Sequence, residues 1–136
     1  YIVSIFVAEM KENDMICPLA NVEEVFQTKD GAVYQCSRKN CYWLEFNDTT
    51  TAFKVSDFFL FKKHIDNIDV AAMLSDSSRS SDFQIVMPFR TERCFVLSVA
   101  DILNLRELLQ GAKFMIKINS EVNAILRNGS MLAMAS

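Results

Sequence analysis

Apolar residues cluster in short runs through the first half of the chain and recur at helical spacing through the second. Val22 to Thr28, Val33 to Cys36, Cys41 to Phe46 and Ala52 to Val55 are rich in β-branched and aromatic residues, and polar segments separate them. That pattern predicts four consecutive strands in a meander. Asp30-Gly31 lies between the first two runs, where glycine tolerates the positive φ of a tight hairpin turn. Asn47-Asp48-Thr49-Thr50 is expected to turn the third strand into the fourth.

Beyond Val55, Phe58, Phe61, Ile65 and Ile68 fall on one face of a helix, with Ser56 or Asp57 placed to cap its first turn. The chain then becomes small and polar from Asp69, and residues 75–82 read as a Ser-rich linker. Phe83 to Phe89 and Cys94 to Leu97 are the next strand candidates, with Pro88 confining the former to an edge or a turn. A second helix is expected from a capping box at Ser98 and Asp101 to Gly111, which reads as its C-cap. Phe114 to Ile118 is ambiguous between strand and helix. Ser120 to Asn128 reads as a short helix ended by Gly129, and the last residues as a frayed tail.

Two of these segments echo each other without a gap. Phe53 to Ile65 aligns on Leu97 to Leu109, with Val55 on Val99, Asp57 on Asp101 and Lys62 on Arg106, and with bulky apolar residues recurring between them. The echo predicts an α+β fold built from a duplicated ββα unit, at about 41–68 and 83–111, with two helices on one face of an antiparallel sheet. The 136 residues suit a single domain.

Composition narrows the function classes. About half the residues are hydrophobic and 23% are charged, as in a globular protein. A net charge of −3, with Lys and Arg scattered among carboxylates, gives no electrostatic footprint for nucleic acid. The apolar start, Tyr1 to Ala8, is far shorter than the ~20 residues that cross a bilayer, so no membrane partner is expected. Four cysteines are sparse for this length, which favours a reduced, cytoplasmic protein.

No constellation for catalysis emerges. Three separated glycines exclude a phosphate-cradling loop. His64, the one histidine, lies beside the apolar stripe of the first helix and aligns with Leu108, which suggests packing. Cys36 and Cys41 flank four residues of a hairpin, a spacing that fits half of a structural zinc site. No second pair completes it, so an oxidisable pair and two buried cysteines acting as small hydrophobes stand beside the zinc reading. Phe59 and Leu103 occupy equivalent positions off the apolar stripes of their helices. Either they pack in a groove between the helices, or they mark an exposed patch for a homodimer or another protein.

The stretch from Val33 through Ile65, a Cys-bearing hairpin running into Trp43-Leu44-Glu45-Phe46, a Thr-rich turn and an amphipathic helix, resembles an uncharacterised family of small bacterial cysteine-hairpin proteins of unknown function. The resemblance implies a fold habit and no substrate or site. The expected function is therefore a non-catalytic interaction module that self-associates and needs no cofactor. The alternative is a zinc-binding or thiol redox-sensing protein built on Cys36 and Cys41.

Overall fold

The computed structural model describes residues 22–76, 82–91 and 93–135. The Tyr1 to Ala8 run, Cys17 and most of the Ser-rich linker lie outside them. Four strands, β1 (Val22–Thr28), β2 (Gly31–Cys36), β3 (Cys41–Phe46) and β4 (Thr49–Lys54), form an antiparallel sheet in sequence order. Helices α1 (Val55–Asp66) and α2 (Val70–Ser75) follow, then the hairpin β5 (Phe83–Val86) and β6 (Phe95–Ser98), and finally α3 (Val99–Ala135). The fold is α+β. Its strands divide between the four-stranded sheet and a separate two-stranded one.

The turns show how local chemistry sets register. Asn47 and Asp48 both have positive φ, at 51° and 60°, so two residues suffice to turn β3 into β4, and Thr49 and Thr50 begin the strand. Asn and Asp tolerate that conformation because their short polar side chains bond locally. At the first hairpin the glycine has another purpose. Gly31 does not have positive φ; it is the first residue of β2, where a Cβ would run into the Glu45 carbonyl of β3.

Alternation along the strands divides their side chains between two clusters, as the period of two requires. Val33, Leu44, Phe46 and Phe53 pack with Phe58, Phe61 and Ile65 of α1 and with Ile102, Leu105, Leu108 and Leu109 of α3. Val86, Phe95 and Leu97 of the β5–β6 hairpin complete this core. The aromatic contacts within it are offset or tilted, with Phe53 stacked on Phe61 at 5.0 Å and Phe61 against Phe95 at 5.2 Å. Ala32, Tyr34, Cys36, Cys41 and Trp43 form the second cluster, flanked by Val22 and Ala52.

Helix ends depart from the sequence reading in instructive ways. α1 starts at Val55 behind Lys54, with no side-chain cap, so neither Ser56 nor Asp57 takes that role. At the start of α3 the expected capping box is present. The Asp101 amide donates to Ser98 Oγ at 3.1 Å, and the Ser98 amide donates to the Asp101 carboxylate at 3.0 Å. The six-residue α2 arises where the chain becomes small and polar ahead of the Ser-rich linker, and the Asp69 side chain caps it by accepting from the Ala72 amide at 3.0 Å. The C-terminal end of α1 is held from outside. Arg106 of α3 donates to the backbone carbonyls of Ile65, Asp66 and Ile68, which the end of a helix leaves without intrahelical partners.

The largest correction concerns α3, which runs unbroken for 37 residues through both Gly111 and Gly129. Gly111 is a point of close approach and not a C-cap. A β-bulge between Glu24 and Phe26 shifts the register of β1, so that Val25 enters the core and the next residue, Phe26, packs against it as well. The Phe26 ring then lies where a Gly111 side chain would be. The missing Cβ lets helix and sheet meet, and continuous helix follows on both sides.

Replacing Gly111 by alanine sets two effects against each other. Helix propensity favours alanine by about 1 kcal/mol. Overlap with the Phe26 ring costs about 1–3 kcal/mol, and a ring wedged between strand and helix has little room to move. The expected result of Gly111→Ala is a lowered urea midpoint. Gly129→Ala, whose new methyl would meet nothing within 4 Å, is expected not to lower it.

Candidate interaction surfaces and the cysteine hairpin

Cys36 ends β2 and Cys41 begins β3, and their Cα atoms are directly paired across the hairpin. The turn between them includes Asn40 with φ of 50°. Sequence spacing therefore brought the two cysteines together correctly. Their states differ. Cys36 is disulfide-bonded, whereas Cys41 is a buried free thiol, so the bond is not between the two. Burial pushes the Cys41 thiol up from its ordinary value, and the nearby Lys39 charge and a hydrogen bond with Trp43 offset only part of that. Such a thiol is poorly ionised at neutral pH.

Among the described residues, no group of three His, Cys, Asp or Glu side chains is placed to hold a metal ion. Cys94, the other free cysteine among the described residues, is exposed in the loop before β6. His64 is exposed on α1 and lines an open cleft of about 520 Å³ with Leu60, Lys63, Asn67, Asp69 and Gln84. No cysteine or second imidazole shares that cleft.

Phe59 and Leu103 have different surroundings despite their equivalent positions in the echo. Phe59 is half-buried, its ring edge-on to Tyr42 of β3 at 6.1 Å and to Phe58 at 5.5 Å. Leu103 is 49% exposed. A more extensive apolar surface lies on the β5–β6 hairpin. Register pairs Ile85 with Val96 and Phe83 with Ser98, so Phe83, Ile85 and Val96 share the face opposite to Val86, Phe95 and Leu97. The inward set is buried, and the outward set, together with Met87 and Phe89 beyond the end of β5, is exposed, Ile85 at 61%.

Sequence reasoning identified these strands but gave no weight to their outer face. The signal was present: Phe83, Ile85, Met87 and Phe89 alternate with residues that include the apolar Val86, so both faces of the strand are apolar.

The geometry defines an α+β protein with an apolar hairpin face and a buried pair of cysteines across the β2–β3 hairpin. The chain belongs to DUF6686, a family of unknown function whose model matches residues 16–125. No curated protein and no solved structure matches the chain. No helix of the described residues is long and apolar enough to cross a membrane.

Tyr34 supplies a test of the second cluster. Its phenol is pushed up to about 12, chiefly by burial and further by the charges of Glu45 and Glu24. Its value in the unfolded chain is about 10. Between these values the folded state holds a proton that the unfolded state has released, so the contribution of Tyr34 to stability is intact below pH 10 and is lost as pH rises through 12. Denaturation midpoints of the wild type are expected to fall across this window. Tyr34→Phe is expected to remove part of that slope. An equal slope in both proteins would show that Tyr34 is not the group responsible.

Proposed function

We propose that the protein is a non-catalytic interaction module that self-associates through the outer face of the β5–β6 hairpin. The observation that carries this reading is the exposed set Phe83, Ile85 and Val96 on a two-stranded sheet, with exposed Met87 just beyond the end of β5. Isolated apolar residues on a surface need no partner, but several together on one rigid element mark an interface. A second copy suits this face. It presents no charged side chain between its apolar residues to select a charged partner, and a twofold contact requires only that a patch match itself. Among the described residues no third strand pairs with the hairpin, and strand addition between copies would extend it to four strands.

The duplication read from sequence belongs to the same proposal. The order β3-β4-α1 followed by β5-β6-α3 is consistent with a ββα unit used twice, and the matched cations both act near the end of α1, with different partners. Lys62 pairs with Asp66 in the last turns of α1, and Arg106 caps that helix end from the other copy. The two hairpins have diverged in that one belongs to the four-stranded sheet and the other offers its outer face for association.

The zinc or redox alternative has one supporting observation, the direct pairing of Cys36 and Cys41. Zinc would need Cys36 as a thiolate, and Cys36 is disulfide-bonded.

Sedimentation velocity across a hundredfold concentration range tests self-association. The wild type is expected to dimerise, and Ile85→Lys and Val96→Lys, which place a charge on the exposed face without touching the core, are expected to shift the equilibrium at least tenfold toward monomer. A wild type that stays monomeric at millimolar concentration would overturn the proposal.

A further inference from the structure

Asp57 and Asp101 match each other in the echo, and each is the third residue of its helix. Asp101 has a local task there, since its carboxylate accepts from the Ser98 amide in the capping box. Asp57 does not repeat it. Lys54 stands where Ser98 stands in the other copy, and no side chain caps α1. Asp57 is nevertheless 6% exposed, and among the described residues its carboxylate has no hydrogen bond and no cation within ion-pair distance. Lys62, buried to the same degree, is paired with Asp66. Taking a carboxylate out of water without a partner is unfavourable, so its persistence in a fold calls for a group that joins it.

The surroundings of Asp57 indicate what that group is. Asp57 lines a cavity of about 130 Å³ between the start of α1 and the loop after β5, together with Ala52, Phe53, Lys54, Arg90 and Thr91. Two of these neighbours are cations, and neither forms an ion pair with Asp57. Arg90 is held in place. Its φ is 63°, in the left-handed region that residues other than glycine seldom adopt, and its guanidinium lies 5.0 Å above the Phe89 ring. The Thr91 amide and hydroxyl both donate to the Pro88 carbonyl, at 3.3 and 3.1 Å, and close the turn around it. Strained residues of this kind cluster at ligand sites, where the surrounding structure fixes them.

We infer that this cavity binds a small α-amino acid as its zwitterion, with the ammonium donating to Asp57 and the carboxylate held by Arg90 and Lys54. Charge decides between ligand classes. A simple anion drawn in by the two cations would meet Asp57, and a simple amine drawn in by Asp57 would meet the cations. Opposite charges that line one cavity without touching suit a ligand that carries both. The planar guanidinium also matches a carboxylate, to which it can donate two parallel hydrogen bonds. Size agrees, because a cavity of about 150 Å³ admits benzene, so this one suits a ligand of about six non-hydrogen atoms. Glycine, alanine and serine are of that size. The site lies apart from the outer face of the β5–β6 hairpin and does not depend on self-association.

Titration calorimetry of the whole chain with glycine, L-alanine and L-serine tests the site, with acetate and ethylamine as carriers of one charge each. At least one of the amino acids is expected to bind saturably at one site per chain, and acetate and ethylamine at least tenfold more weakly. Arg90→Gln, a change at an exposed residue, is expected to weaken that binding at least tenfold. Asp57→Asn is expected to weaken it as much and, without ligand, to raise the urea midpoint, because the amide removes an unpaired buried charge. Absence of saturable binding by all three amino acids at millimolar concentration would overturn the proposal. So would acetate or ethylamine binding as tightly as the amino acid, or undiminished binding by Arg90→Gln, whose substitution does not touch the core. A lowered midpoint for Asp57→Asn would show a purely structural carboxylate and would contradict it too.

Discussion

The constraint on which the rest depends is a four-stranded sheet that is apolar on both faces. An antiparallel meander usually alternates apolar and polar residues and leaves one face to water. Here β2 and β3 place Val33, Leu44 and Phe46 on one side and Ala32, Tyr34, Cys36, Cys41 and Trp43 on the other, all buried. Neither face can be exposed without a large loss, since burying each large apolar side chain contributes on the order of 1.5–3 kcal/mol. On the side of Val33, Leu44 and Phe46 the covering material is α1, the β5–β6 hairpin and α3, which follow the sheet in the chain.

Within the helical layer, position is set by a few specific contacts more than by general hydrophobicity. Arg106 joins α3 to the end of α1 through three carbonyls, which fixes the two helices end to side. At the other border of the sheet, the bulge in β1 and the bare Cα of Gly111 let Phe26 lie against α3. Between those two fixings the aromatic residues Phe53, Phe58 and Phe61 fill the space. The inner residues of the β5–β6 hairpin pack into the core, and its outer face is apolar and exposed.

Much of this was legible in the residues. The four strands announced themselves because short aromatic and β-branched runs separated by Asp, Asn and Gly have few other stable arrangements. The capping box at Ser98 and Asp101 was equally plain. What escaped was decided by tertiary contact. Gly111 and Gly129 read as helix stops because the reading was local, whereas packing on Phe26 and the strength of the flanking helical sequence carry α3 through both. α2 was missed because six residues hold too little periodicity to register. The site was legible only in part. Spacing paired Cys36 with Cys41, but carries no sign of the difference in their states. The outer face of β5 was hidden by the fact that an apolar residue reads the same whether it faces the core or a second molecule.

Membership of a family of unknown function assigns the chain no activity. The central claim, a sheet covered on both faces within one chain, is tested most directly through Trp43, the only tryptophan and a member of the second cluster. Iodide quenching of its fluorescence in the native whole chain is predicted to be weak, with emission blue-shifted from that of the urea-unfolded chain. Native quenching equal to that of the unfolded chain would show the second face open to water and would contradict the account.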